Sequence, residues 1–471
     1  MRHTILGLLA VLTVTAAHAG LRLSSMAGDH MVLQQQTRAD LRGTSSPGAR
    51  ITVTPSWSGT ASTATAGPDG RWALEIPTPA GSYTPHTITV ADDRGDTLAI
   101  RDVLVGEVWL ASGQSNMQMP LKGFPGCCVR DGYQEIATSG RRAAQIRFYT
   151  VPLTQSYTPL DTVAASWAVP SPQTAPEFSA VAWYYANRLT DVLGVPVGIV
   201  SAAYGGARVE SWMPRDMLEQ LPDESLDRAR VDSMTHYLRP LLMYNAMFHP
   251  VKDYTYSGII WYQGCSNVDS WETYADRLAA MITRWRSEIG QGDIPFYAVE
   301  IAPYEFGSDK APRLRLAQWE AVAAVPEADM ICINDLVEPY ERYNIHPGNK
   351  ADVGRRLADL ALTRTYGRRQ FLAGSPRYKS HRFEGSEAWV AIDSPNDGIC
   401  RNYDIRGFEI AGPDGVFYPA DEARLHWQTN EIVVSSARVP RPAAVRYCFR
   451  DFLPGTLHGG NYLPLIPFTT E

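Results

Sequence analysis

The run Val103-Leu104-Val105-Gly106-Glu107-Val108-Trp109-Leu110-Ala111 ends at Gly113 and leads straight into Gln114-Ser115-Asn116-Met117. A continuous apolar run of this kind, closed by glycine, predicts a strand buried on both faces. Working downstream, the pattern alternates between strand and helix. A helix is expected over 179–193, then a strand over 195–203 that runs into Gly205-Gly206. Another strand over 257–262 ends at Gly264. The stretch 271–289 reads as an amphipathic helix, with Leu278, Met281, Ile282 and Trp285 at helical spacing. Strands over 294–301 and 330–334 and a helix over 351–366 complete the series. Alternation of this kind implies an α/β domain, a three-layer arrangement whose parallel sheet is covered on both faces.

Working outward, both flanks change period. Arg50-Ile51-Thr52-Val53-Thr54 and His86-Thr87-Ile88-Thr89-Val90 alternate with period two between turn clusters such as Ser46-Pro47-Gly48 and Gly67-Pro68-Asp69-Gly70. A small β-sandwich is expected there. After about 370, short alternating runs over 388–392, 406–410 and 431–434 predict a second β-rich region. The expected boundaries are 1–19, 20–102, 103–370 and 371–471.

The first of these is a leader. Arg2 and His3 precede an apolar run from Ile5 to Val14, and Ala17-His18-Ala19 fits a cleavage site. This predicts a secretory signal peptide and an exported protein, periplasmic or extracellular. No other segment reaches the ~20 apolar residues that span a bilayer. A formal net charge of −7 argues against a nucleic-acid partner. The 12 Trp and 23 Tyr suit sugar recognition, although most of these rings belong to the core. The 6 Cys permit disulfides after export, and Cys400 with Cys448 is the first pairing to expect. No C-x-x-C or H-E-x-x-H spacing offers a zinc site.

In an open α/β sheet, ligands bind at the carboxyl ends of the strands. Three strands end in polar turns: Gly113-Gln114-Ser115-Asn116, Tyr204-Gly205-Gly206 and Gln263-Gly264-Cys265-Ser266-Asn267. Acyl transfer needs a hydroxyl nucleophile, a base for its proton and donors for the oxyanion. Ser115 is a candidate nucleophile, or a helix cap. It is not a nucleophile elbow, because Met117 stands where G-x-S-x-G requires glycine. Gly205 and Gly206 allow close backbone approach, or simply form a tight turn. Asn267 offers a side-chain amide, or caps an Asx-turn. His346, in Asn344-Ile345-His346-Pro347-Gly348, sits before the last helix, as a base or as a surface histidine.

These residues carry a resemblance. Val108-Trp109-Leu110-Ala111-Ser112-Gly113-Gln114-Ser115-Asn116-Met117 resembles the nucleophile block of the sialate O-acetylesterase family of SGNH hydrolases. So do Tyr204 to Trp212, Trp261 to Asn267, Ile345 to Lys350 and Val353 to Ala358. Met31-Val32-Leu33-Gln34-Gln35 and Leu463 to Phe468 are similar to its two ends.

The resemblance implies an SGNH-hydrolase, flavodoxin-like domain between the β-rich regions. It also implies a Ser115 nucleophile, a His346 base, and an oxyanion hole from Ser115 N–H, Gly205 or Gly206 N–H and the Asn267 amide. The substrate it implies is an O-acetylated sugar, with no cofactor. Gln114, Arg208, Glu210, Gln263, Arg313 and Gln318 are the polar candidates for binding it.

Two departures stand out. Cys265 replaces a glutamate common in relatives, and Tyr343 occupies the place, three residues before the histidine, where the SGNH pattern has aspartate. Asn344, Asp335, Glu338 or a backbone carbonyl remain as groups that would orient the imidazole, and a Ser-His dyad is the alternative. Acetylxylan or another acetylated polysaccharide is the second substrate class. A non-catalytic carbohydrate-binding protein is the reading from another class.

Overall fold

The computed structural model describes residues 20–395, 398–400 and 404–471; the expected leader over 1–19 lies outside them. Its central strand, β1 (Thr97–Gly113), is longer than its apolar run. The first half pairs antiparallel with Ser82–Asp92, and the second half joins a parallel sheet. The expected boundary at 102/103 thus falls inside one strand, where Asp102 bends the chain with φ 53°.

The parallel sheet adds β2 (Ile146–Thr150), β3 (Val197–Ala203), β4 (Gly258–Tyr262), β5 (Phe296–Val299) and β6 (Ala328–Ile331). Their order is β2-β3-β1-β4-β5-β6, and Trp167–Ala168 pairs antiparallel at the β2 edge. The helices include α1 (Ser115–Gln118), α2 (Ala180–Leu193), α3 (Tyr274–Ile289), α4 (Lys310–Ala323) and α5 (Lys350–Arg364). Ser179 caps α2 by accepting from Ala182 N, and Gly194 ends it at φ 70°.

Successive strand residues point to opposite faces and feed two cores. Trp109, Ala111, Ile260 and Tyr297 pack with Val181 and Tyr185 of α2 and Leu357 and Ala361 of α5. Val108, Leu110, Ile259 and Phe296 pack with Ile282 and Trp285 of α3 and Leu314 of α4. Neither α4 nor β2 is evident in the sequence pattern. In α4, Pro312 and the buried polar residues Arg315 and Gln318 interrupt the apolar stripe.

The N-terminal region forms strands whose alternate residues, Leu41, Ile51, Val53, Ile76 and Val90, are buried. It is tied to the sheet by the buried Glu107 carboxylate, which accepts from Gln34, Gln35, Ser257 and Tyr366. The C-terminal region contributes two four-stranded antiparallel sheets with their own core, including Ala388, Ile410, Val434 and Tyr447. Asp335, held by Arg356, also accepts from His458 of that region.

The expected Cys400–Cys448 disulfide is not formed: all six thiols are free. The Cys448 sulfur is enclosed by the backbones of Gly407 and Gly455, while Cys400 pairs through its N–H with the His458 carbonyl. Among the described residues no helix is long and apolar enough to cross a membrane.

Candidate active site

From β1 the sheet grows to one side through β3 and to the other through β4. The carboxyl end of β1 is therefore the switch point, the place where ligands bind in open α/β sheets. At Gly113 the backbone has φ 133°, and a Cβ there would lie 2.3 Å from the Tyr262 carbonyl oxygen. Only glycine lets β1 and β4 approach so closely. The chain then turns at Gln114 into the single turn of α1, which begins with Ser115.

The structure gathers the predicted turns. Gly205 lies against the nucleophile candidate: a Cβ on it would be 3.5 Å from Ser115 Cβ. Its N–H donates to Gln118 Oε1 at 2.6 Å, so of the two glycines it is Gly206 whose N–H has no partner among the described residues. Gly206 has φ 78°, and the Tyr237 ring would be 2.5 Å from any Cβ there. A side chain at this position is excluded by both strain and space.

The His346 loop reaches the same place. Asn116 Nδ2 donates to Ile345 O at 3.0 Å, so the residue after Ser115 is bonded to the residue before His346. Glu341 shapes this loop by accepting from Gly348 N at 2.8 Å and Glu338 N at 3.0 Å. The His346 ring stands edge-on to Phe124 at 5.2 Å. Burial, and then the nearby charge of Lys350, lower its imidazole from the usual range to about 4. It is therefore neutral, the form of a base, at any pH above mild acidity. Neither the Ser115 hydroxyl nor the His346 ring makes a hydrogen bond to another described residue. Catalytic hydrogen bonds of this kind commonly close only around substrate.

The candidates for orienting His346 are engaged elsewhere. Asn344 Oδ1 accepts from His346 N at 3.0 Å in an Asx-turn, and from Cys127 Sγ. Asp335 belongs to Arg356 and His458, and Glu338 to Arg130. Tyr343, in the position of the usual aspartate, is 75% exposed.

Asn267 directs its amide to Glu210. Its Nδ2 donates to both carboxylate oxygens of Glu210, at 3.0 and 3.2 Å, and its Oδ1 accepts from Val209 N and Gln263 Nε2. The cause is Glu210, a fully buried carboxylate that draws donors from Asn267 and Arg277.

Three more expected binding residues are spent in the same way. Arg208 grips Glu224 with both terminal nitrogens. Gln263 bonds Ala207, Asn267 and Tyr274. Gln318 bonds Gln263, Val299 and Ile301. Of Gln114, Oε1 accepts from Gly264 N, while Nε2 has no partner among the described residues.

Arg313 remains open. Its guanidinium lies 5.5 Å from the Trp271 ring and borders a cleft of about 970 Å³ that also meets Arg342, Phe408 and Phe452. Sequence reasoning assigned no role to Gln118, Glu341 or Lys350. Gln118 and Lys350 act across the fold, where no local spacing signals them, whereas Glu341 works locally, in a capping box with Glu338 whose three-residue spacing is a readable signal.

Known proteins resemble this chain over most of its length. Residues 105–363 match the family model described as carbohydrate esterase, sialic acid-specific acetylesterase. The chain is 28% identical to the sialate O-acetylesterase of Mus musculus, covering 97% of this chain and 95% of that one. To the human sialate O-acetylesterase it is 27% identical, over 79% of this chain and 77% of that one. The crystal structure of a carbohydrate acetylesterase from Xanthomonas citri superposes with a TM-score of 0.84 at 34% identity, covering 96% of this chain and 99% of that one. The match extends over more than half of the chain and takes in the Ser115 turn and the His346 loop, so this protein belongs to the carbohydrate esterase, sialic acid-specific acetylesterase family and is a hydrolase of carboxylic esters.

Proposed function

We propose that this protein is exported and removes acetyl groups from carbohydrate hydroxyls, with O-acetylated sialic acid as its substrate. Ser115 Oγ attacks the acetyl carbonyl while His346 takes its proton. The C–O bond to the sugar then breaks, and His346 returns the proton to the departing sugar oxygen. Water attacks the acetyl-enzyme by the same route, releasing acetate and restoring Ser115. The oxyanion is met by the N–H groups of Ser115 and Gly206, with Gln114 Nε2 as the side-chain donor nearest in sequence. The chemistry needs no cofactor. The surrounding chain is read as the three-layer, flavodoxin-like SGNH domain with a β-rich region at each end.

The observation that carries this reading is the Asn116–Ile345 hydrogen bond together with the nearness of Gly205 to Ser115. Segments from three parts of the chain converge there on the carboxyl end of β1. The neutral state of His346 supports its role as base.

The test is acetate release from 4-nitrophenyl acetate by wild type and Ser115→Ala. Turnover is expected to fall by about 10⁴-fold or more, as when a nucleophilic serine is removed. Equal rates would reject Ser115. Release from O-acetylated sialic acid is expected to exceed release from acetylxylan, and the reverse order would move the substrate to plant polysaccharide.

A further inference from the structure

Lys350 is a buried amine, protonated below neutral pH, to which the steps above give no task. It opens α5 behind the Asn349 cap and is 1% exposed. Its Nζ donates to Asn116 Oδ1 at 2.5 Å and lies 5.7 Å from the centre of the Tyr262 ring. The titratable groups that bear on it are Glu341, Cys265 and Cys127, and its charge acts in turn on His346. Among the described residues no carboxylate comes within ion-pair distance of it. An ammonium buried without a carboxylate is costly, and burial lowers this one to about 7.

Asn116 is also 1% exposed, and its two ends serve two segments. Oδ1 accepts from Lys350, and Nδ2 donates to Ile345 O. An amide whose oxygen is polarised by a cation is the stronger donor. The series Lys350–Asn116–Ile345 therefore clamps the residue after the nucleophile to the residue before the base. No carboxylate performs that service, because Asp335 and Glu338 are spent elsewhere and Tyr343 replaces the usual aspartate.

We infer that Lys350 is a positioning residue for this hydrolysis, holding His346 over Ser115 through the Asn116 amide in place of a carboxylate behind the imidazole. The inference rests on Ser115 and His346 acting as proposed above. The same charge opposes protonation of His346, whose other neighbours are the Phe124 ring and the Asn344 turn. Removing the charge therefore has a kinetic signature that loss of packing does not.

The experiment compares wild type, Lys350→Met and Lys350→Arg by kcat, KM and the pH dependence of kcat/KM on 4-nitrophenyl acetate, with circular dichroism to confirm folding. In Lys350→Met, kcat is expected to fall about 10- to 100-fold at nearly constant KM, the range that misplaced reacting groups cost. Its acid limb is expected to rise by about half a pH unit, since burial, the larger cause of the low imidazole value, remains. Lys350→Arg keeps the cation and is expected to leave the limb at its wild-type position.

A wild-type limb in Lys350→Met, whatever its kcat, overturns the inference. Should Lys350→Met fail to fold, Asn116→Ala breaks the clamp while sparing the cation. A kcat within twofold of wild type in that variant also overturns the inference. Activity retained by Ser115→Ala would instead refute the parent reading. An inactive Ser115→Ala beside an unaltered Lys350→Met refutes this inference alone.

Discussion

Glu300 follows β5, is fully buried, and accepts from the Trp319 indole N–H at 2.7 Å and from the Cys332 thiol. Burial is the largest influence on it and raises its carboxyl from 4.5 to about 7, against the opposing charge of Arg315. The sign follows from linkage. A carboxyl whose folded value is raised contributes stability that is fully present below the unfolded value near 4.5. That contribution is lost as the pH rises through the folded value near 7.

Integrated between pH 5 and pH 8, the loss is roughly 2 to 3 kcal/mol. Glu300→Gln removes the titration but keeps an oxygen for Trp319. The variant is therefore expected to gain roughly 2 to 3 kcal/mol relative to wild type on going from pH 5 to pH 8. Urea unfolding followed by tryptophan fluorescence at the two pH values measures this difference, with Trp319 as a reporter beside the substituted group. Other titrating groups cancel in the comparison. A stability difference that stays constant between the two pH values would falsify the claim that burial holds this carboxyl neutral.

Two further predictions separate structural from chemical roles. Asn267→Ala leaves the buried Glu210 without one of its donors, so it is expected to cost about 2 to 4 kcal/mol of stability. Its kcat should stay within threefold of wild type, whereas an oxyanion donor would lose about 10²- to 10³-fold in kcat without that instability. Denaturation and turnover measured on one preparation distinguish the two. Arg313→Ala strips the open cation from the cleft beside Trp271. KM for an acetylated oligosaccharide is expected to rise about threefold to tenfold while turnover of 4-nitrophenyl acetate is unchanged. Equal KM values for the oligosaccharide would remove the cleft from substrate binding.

The alternation of apolar runs with amphipathic stretches carried the α/β reading, because burial on two faces requires strands without polar alternation and helices with one apolar stripe. The turn residues Gly113, Ser115, Gly205 and Gly206 were legible for a similar local reason. Glycine is needed where backbones touch, and a hydroxyl after a buried strand is exposed at its end. The helix α4 was not legible, since its buried Arg315 and Gln318 spend their donors and acceptors on distant backbone and break the apolar stripe.

The assignment of polar side chains at the site was likewise beyond local pattern. Asn267 stands in a plausible motif, yet its amide turns to Glu210 because a buried carboxylate 57 residues away must be satisfied. Lys350 stands only four residues after His346, yet its partner is Asn116, 234 residues earlier in the chain. Spacing along a chain fixes which face a residue takes on its own element. Which donor meets which acceptor is settled only when separate elements pack, because every buried polar group then competes for the few partners within reach.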